Sequence, residues 1–253
     1  MSDIYASPAA ALDLPREDPS ESGSLERGIA GDYTFTIGEV LKEAWERTNG
    51  AKLTLNLAML AYGVITIVAT MITNFAFGGL LTAQQGEMSG LTIIGGAIVQ
   101  QLVILAVVLP PMIGMLILGL RRAVGAPIAV GQVLRHYHRT LPLLGGNILM
   151  TIAIIIGMVL LVIPGIYLSV ALLFTLALVA EKGLGPLAAM SASRKAVHKR
   201  WFSFLGFGLV LTLINMVAAI PLGIGLIWSM PFTFIATGVL YNRIFGCEAE
   251  TRA

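Results

Sequence analysis

Long apolar stretches with almost no charged residues constrain this chain more than any other feature. An α-helix crosses the hydrocarbon core of a bilayer in about 20 residues, and several runs in this sequence reach or approach that length. With 57% of its residues hydrophobic and only 12% charged, the chain is far less polar than a soluble globular domain. The sequence therefore predicts an all-α membrane protein with several transmembrane helices.

Six apolar runs are predicted to cross the bilayer as three helical hairpins. They are residues 53–80, 91–120, 141–163, 166–180, 201–220 and 224–245. The second run is long enough to tilt or to bend around Pro110 and Pro111. Pro164 and Gly165 form the predicted turn between the third and fourth runs. Because the fourth run is short, a re-entrant pair is the alternative there, although two full spans agree better with the required length.

The positions of the basic residues predict the orientation of the chain. No Lys or Arg lies between the two runs of any hairpin, whereas the amino-terminal segment, the segments after the second and fourth runs, and the carboxyl end carry them. By the positive-inside rule, both termini and the basic connectors are predicted to be cytoplasmic. A basic excess beside spans is typical of membrane topology, so no nucleic-acid partner is expected.

Three regions are predicted along the chain. Residues 1–32, rich in Pro, Ser, Asp and Glu, form a predicted disordered acidic cytoplasmic tail, which is either a solvated leader or a docking segment for a cytosolic partner. Residues 33–246 form the predicted six-helix transmembrane domain, and residues 247–253 a short cytoplasmic tail. No signal-peptide pattern opens the sequence, so we expect the first apolar run to direct the chain to the membrane.

Each predicted hairpin follows a short amphipathic segment. Residues 36–42 (TIGEVLK) are echoed by residues 129–135 (AVGQVLR), and in both the apolar residues recur with helical spacing. A third segment, residues 186–200, combines a small-residue face with a basic face. We expect these segments to be amphipathic helices at the membrane interface. The predicted architecture is therefore three copies of an interfacial helix plus a hairpin.

Four of these patterns occur in a recognisable order: the 36–42 segment with Trp45, residues 119–122 (GLRR), residues 163–167 (IPGIY), and a basic helix that runs into Trp201. In this order the chain, over residues 33–246, resembles a broad group of uncharacterised bacterial six-helix inner-membrane proteins. That group is similar to the YciC-type proteins and to the membrane region that precedes some glycerophosphoryl diester phosphodiesterases. The resemblance implies a six-helix fold in a bacterial inner membrane. It supplies no catalytic residues, and no phosphodiesterase activity is implied.

Catalytic, metal and nucleotide sites have no motif in this sequence. Five of the six runs contain no Asp, Glu, Lys, Arg or His, and the sixth carries Arg243 only in its last turn. The usual intramembrane proton relay or carboxylate pair is therefore not expected. His136 and His138 alternate, which points them to opposite sides of a helix, so no metal site is predicted. We expect a protein that is not an enzyme and has no cofactor.

Two sets of residues are the functional candidates. Basic residues beside the cytoplasmic leaflet can bind anionic lipid headgroups, or can serve topology alone. They are Arg121, Arg122, Arg135, Arg139, Arg194, Lys195, Lys199 and Arg200. Polar or proline positions within the runs can line a cavity, or can bond neighbouring helices together. They are Gln100, Gln101, Pro110, Pro111 and Asn147.

The favoured hypothesis is a non-enzymatic membrane scaffold or accessory subunit. Its expected partners are membrane lipids, anionic ones in particular, together with another membrane protein or a second copy of the chain. The alternative is a transporter or channel for a small or amphipathic molecule, which the proline pair and the amides within the runs would serve.

Overall fold

Residues 22–83 and 90–253 are described by the computed structural model, and every regular element within them is a helix. In chain order the elements are α1 (Leu25–Ala30), α2 (Ile37–Thr48), α3 (Lys52–Ala83), α4 (Gly90–Ala123), a 3-10 helix (Val130–Arg139), α5 (Thr140–Leu160), α6 (Val162–Ala171), α7 (Thr175–Glu181), α8 (Pro186–His198), α9 (Trp201–Ala219), α10 (Leu226–Phe245) and α11 (Ala249–Arg252). The all-α prediction is confirmed for this part of the chain. Most of the predicted tail (1–21) and part of the first predicted external loop (84–89) lie outside the described residues.

Five helical stretches are long and apolar enough to cross a membrane. They are Lys52–Gly78, Gly90–Ala123, Val130–Leu160, Val162–Glu181 and Trp201–Ala219. This finding, made on the described residues, is compatible with a multi-pass membrane protein. The sixth predicted run corresponds to α10, which is 20 residues long but carries the polar residues Asn242 and Arg243 near its carboxyl end. The described part of the chain therefore has five such stretches, where the sequence predicts six.

The core lies where the second half of α4 crosses α10. The two backbones come close at Gly119 and Gly238, because a Cβ added to Gly238 would lie 2.7 Å from the Gly119 carbonyl carbon. Around this contact Leu118, Leu120 and Ile235 are fully buried. Small residues allow membrane helices to approach closely and gain van der Waals contact. The second half of α4 is thus covered by protein on most sides.

The first half of α4 and most of α3 carry an apolar surface that the described residues leave uncovered. Leu60, Phe75 and Leu91 are 65%, 87% and 82% exposed. A surface of this kind is unfavourable in water, whereas the hydrocarbon of a bilayer would cover it. Most of α3 and the first half of α4 are therefore suited to contact lipid.

The predicted turn at Pro164 and Gly165 is replaced by an earlier break. Leu161 follows α5 with an extended backbone (φ −162°, ψ 143°), and Pro164 lies in the first turn of α6. Proline is tolerated there because the first N–H groups of a helix have no helical partner. Pro164 and Gly165 therefore lie at the start of the returning helix and do not form the turn.

The returning helix is itself divided between α6 and α7. α6 ends at Ala171 and α7 begins at Thr175. The buried Ser193 of α8 bridges the gap, since its Oγ accepts a hydrogen bond from the Phe174 N–H (3.2 Å) and donates one to the Ala171 carbonyl (2.8 Å). A side chain thus supplies the hydrogen bonds that a continuous helix would make within its own backbone.

Residues 22–32, which the sequence interpretation placed in the disordered tail, fold against the end of α10. The Gly23 N–H donates to the Asn242 carbonyl (2.9 Å), and Gly28 is buried beside Ile244. Ser24 caps α1 by accepting from the Arg27 N–H. The structure differs from the predicted boundary at residue 32 because these contacts join distant parts of the chain, which local composition does not reveal.

Besides α8, which Ser193 joins to α6 and α7, the other two predicted interfacial segments also pack along other helices. The 3-10 helix folds back along α4, with Val133 buried and the Tyr137 hydroxyl donating to the Val107 carbonyl (2.8 Å). α2 lies along α10, where Glu43 forms an ion pair with Arg243 (2.7 Å). Both segments are therefore attached to the core of the protein.

Candidate functional site

A small cavity lies where α4, the 3-10 helix, α7 and α11 meet. Its volume is about 80 Å³, whereas one water needs roughly 10–15 Å³ on a comparable measure. Its polar lining residues are Arg121, Gln132, Arg135, His136, His138, Arg139, Glu181, Glu250 and Thr251. We call this space the basic cavity. It has room for several waters or for one small polyatomic ion.

The three arginines give the basic cavity a positive charge, which the carboxylates of its lining offset only in part. Arg121 donates to the Pro127 carbonyl (3.1 Å) and to the Glu250 carbonyl (3.0 Å). Arg139 donates to the Val179 carbonyl (3.1 Å). Carbonyl oxygens orient a guanidinium group but carry no formal charge. Within the described residues, none of the three arginines forms an ion pair.

Two carboxylates also line the basic cavity, but one of them has other partners. Glu181 accepts hydrogen bonds from the Tyr241 hydroxyl (2.9 Å) and the Glu248 N–H, and lies 3.6 Å from the Lys182 ammonium group. Glu250 is the second carboxylate. Three arginines against two carboxylates leave the lining with a net positive charge.

His136 contributes a buried polar atom to the cavity. Its Nδ1 has no hydrogen-bond partner among the residues that the structure describes. His138, by contrast, has its Nδ1 2.6 Å from the Arg135 carbonyl. Buried polar atoms are normally paired, so His136 Nδ1 is an unsatisfied polar atom in the wall of the cavity. No group of three His, Cys, Asp or Glu in the described residues is placed to hold a metal ion.

A second, open site lies where α8 meets α9. It has a volume of about 560 Å³ and is lined by Tyr167, His198, Lys199, Arg200, Trp201, Phe202 and Ser203. We call it the basic–aromatic groove. The Tyr167 hydroxyl and His198 Nδ1 are hydrogen-bonded at 2.9 Å, and the Trp201 indole donates to the Tyr167 carbonyl (3.2 Å). Rings with one polar and one apolar end are typical of a membrane interface.

Residues of the groove and of α8 contact the amino-terminal segment. The guanidinium of Arg200 lies 5.9 Å from the centre of the Tyr33 ring, and the Tyr33 hydroxyl donates to the Ala196 carbonyl (2.7 Å). Burial raises the pKa of Tyr33 to about 12, and the positive charge of Arg200 opposes that rise. The Lys199 ammonium group donates to the Ala30 carbonyl. Both groove cations therefore have fixed neighbours.

The remaining basic candidates line neither site. Arg122 donates to the carbonyls of Arg47 and Asn49, and so ties the end of α4 to the end of α2. Arg194 and Lys195 are exposed on α8. The structure thus separates the eight basic candidates into the basic cavity, the basic–aromatic groove and three outlying positions.

The five candidate cavity-lining residues are not brought together. Gln100 donates to the Asn74 side chain (2.7 Å) and thereby joins α4 to α3, whereas Gln101 is exposed. Pro110 and Pro111 are buried farther along α4, and the half-buried Asn147 lies on α5. None of these residues lines the basic cavity or the basic–aromatic groove.

Sequence reasoning missed several residues of the two sites. Gln132, Glu181 and Glu250 were not candidates for the cavity, and Tyr167 was seen only as part of a turn. Spacing offers no signal for Glu250, because it lies 129 residues from Arg121 along the chain. For His136 the sequence favours solvation at the membrane interface over a metal site, whereas its partial burial follows from the packing of the 3-10 helix on α4.

Comparison of the chain with protein-family models, with curated proteins and with solved structures gave no match. Fold and sites together define an all-helical chain, over the described residues, with five stretches able to span a membrane and two basic sites. The resemblance of residues 33–246 to the YciC-type proteins stays a prediction.

Proposed function

We propose that this chain is a non-enzymatic scaffold or accessory subunit of the bacterial inner membrane, which holds anionic lipid at its cytoplasmic face and contacts a partner there. The basic–aromatic groove carries the proposal, because Lys199 and Arg200 line it together with Trp201 and the 82% exposed Phe202. Cations attract a lipid phosphate, while aromatic rings settle at the boundary between headgroups and acyl chains. The groove brings cations and aromatic rings together at one place.

The proposal includes six spans and cytoplasmic termini. α10 is the sixth span, since its 20 residues suffice for a bilayer core, and Arg243 then lies at its cytoplasmic end. The positive-inside rule puts the basic cavity and the basic–aromatic groove on the cytoplasmic side.

A transporter or channel finds less support than a scaffold. The amides and prolines proposed for a substrate path lie on separate parts of α4 and α5, and Gln100 is engaged with Asn74. Sustained substrate flux through purified protein in liposomes would nevertheless overturn the scaffold proposal.

The test compares two double variants that remove equal charge from neighbouring positions. Lys199→Gln with Arg200→Gln removes both cations of the groove, and Arg194→Gln with Lys195→Gln removes two exposed cations of the same basic segment. Native mass spectrometry of gently extracted protein measures the retained anionic phospholipid. We expect the groove variant to retain roughly thirtyfold less, since two cations that each contribute about 1 kcal/mol beside a bound headgroup together contribute about 2 kcal/mol. The control variant should retain most of the lipid, because Arg194 and Lys195 lie outside the groove. Equal losses in both variants would overturn the role of the groove.

A further inference from the structure

We infer that the basic cavity binds a tetrahedral oxyanion, either inorganic phosphate or the phosphomonoester end of a larger molecule. This inference deepens the proposed function by naming the ligand class of one basic cluster, and rests on that function only for the cytoplasmic location. Its evidence is separate from the groove, because no residue lines both sites.

Two arginines of the cavity are oriented by hydrogen bonds to the main chain, and the third has free donors. Arg121 and Arg139 use some of their N–H groups on main-chain carbonyls, which fixes their direction. Arg135 is exposed, and its guanidinium group makes no hydrogen bond within the described residues. A guanidinium group presents its donors in a planar fork that matches phosphate oxygens. Arg135 therefore has donors available, beside two cations that are already oriented.

Like charges around one small space repel each other, and an anion between them removes that cost. The two carboxylates reduce the repulsion only in part, since Glu181 already has Lys182 and Tyr241 as partners. A phosphate group suits the cavity better than a chloride ion does, because its several acceptor oxygens match the N–H groups of the guanidinium forks.

His136 is the second, independent observation. Its Nδ1 is buried with no partner in the described part of the chain, and the residue lines the same cavity as the arginines. A rotation of the imidazole that turns this nitrogen toward the cavity would let it donate to an oxyanion oxygen when it carries the proton, and would thus pair a polar atom that the described residues leave unpaired.

The size of the cavity limits its ligand. A volume of about 80 Å³ admits a phosphate group but not a whole phospholipid. Two sources have the same chemistry at the binding end: a soluble phosphate compound, and a lipid with a phosphomonoester headgroup such as phosphatidic acid. The experiment must therefore offer each source separately.

The full chain is placed in phosphatidylcholine nanodiscs and titrated with inorganic phosphate by calorimetry at constant ionic strength. In parallel, nanodiscs containing phosphatidic acid are examined by native mass spectrometry for retained lipid. Arg135→Gln removes a cavity cation, and Arg194→Gln is the matched control, an exposed arginine outside both sites. Because the Arg135 side chain makes no hydrogen bond within the described residues and the substitution keeps its main-chain carbonyl, the variant should keep the thermal midpoint of the unsubstituted protein.

We expect Arg135→Gln to weaken binding of at least one source by roughly tenfold, the usual effect of losing hydrogen bonds to a charged group, and Arg194→Gln to leave it within twofold. Loss of phosphate binding identifies a soluble ligand, and loss of phosphatidic acid alone identifies the lipid. Equal effects of the two variants, or no binding of either source by the unsubstituted protein, would overturn the inference. The groove comparison does not involve Arg135, so failure of the cavity and failure of the scaffold proposal are distinguishable.

Discussion

At the scale of single residues, Tyr137 replaces a hydrogen bond that is missing from the backbone of α4. In a regular helix the carbonyl of residue 107 accepts from the N–H of residue 111, but position 111 is proline, which has no N–H. The Tyr137 hydroxyl donates to the Val107 carbonyl instead (2.8 Å). The side chain of a connector thus satisfies a carbonyl that the proline pair leaves without its helical partner.

Tyr137→Phe is expected to destabilise the protein by roughly 1 kcal/mol, because the Val107 carbonyl loses its donor. Pro111→Ala restores the backbone donor, so the same tyrosine substitution should cost clearly less in that background. A double-mutant cycle of thermal unfolding in one detergent measures the difference. An equal loss of stability in both backgrounds would contradict the proposed role of the Tyr137 hydroxyl.

At the scale of elements, the close approach of α4 and α10 depends on two glycines. A Cβ on Gly119 would press on the Phe234 carbonyl, and one on Gly238 would lie 2.7 Å from the Gly119 carbonyl carbon. Backbone atoms cannot move aside as a flexible side chain can. Neither position therefore accepts a larger residue without separating the helices.

Gly238→Ala should lower the free energy of unfolding by roughly 1–3 kcal/mol, the usual cost of overpacking. Gly208→Ala is the control, because Gly208 lies in α9 and its added Cβ would meet nothing within 4 Å; there alanine favours the helix. Thermal unfolding midpoints of the two variants in the same detergent make the comparison. A stable Gly238→Ala variant would mean that α4 and α10 are less tightly packed than described.

The apolar runs predict the positions of the long helices, but not the division between α6 and α7 or the two sites. Residues 53–80 lie inside α3 and residues 201–220 match α9 closely, because the length of an apolar run is a local property. The break at Leu161 depends on where Pro164 is tolerated, and was predicted three residues late. The basic cavity combines Arg121 with Arg135 and Glu250, and that grouping depends on how distant helices pack.

At the scale of the whole molecule, polar and apolar features lie at opposite ends of the same helices. The basic cavity includes Arg139, directly before α5, while the other end of α5 leads to Leu161, which is 68% exposed. The groove includes Trp201 at the start of α9, and the far end of α9 leads to Leu222, which is 97% exposed. This polarity agrees with the proposed orientation.

Cysteine labelling tests that orientation. In a Cys247→Ser background, Leu222→Cys should react with a membrane-impermeant maleimide in intact spheroplasts, because the proposed topology puts it outside. Lys195→Cys should react only after the membrane is permeabilised. The reverse pattern would contradict cytoplasmic termini, and labelling of both positions from one side would contradict a spanning α9.

The packing of α4 on α10 also has a consequence for biosynthesis. The buried face of α4 is synthesised well before α10, which covers it, because Gly238 lies 119 residues after Gly119 along the chain. At ordinary rates of synthesis the interval is on the order of ten seconds. During that time the surface around Gly119 stays uncovered in the nascent chain, which makes it a natural place for an insertion factor or chaperone to act.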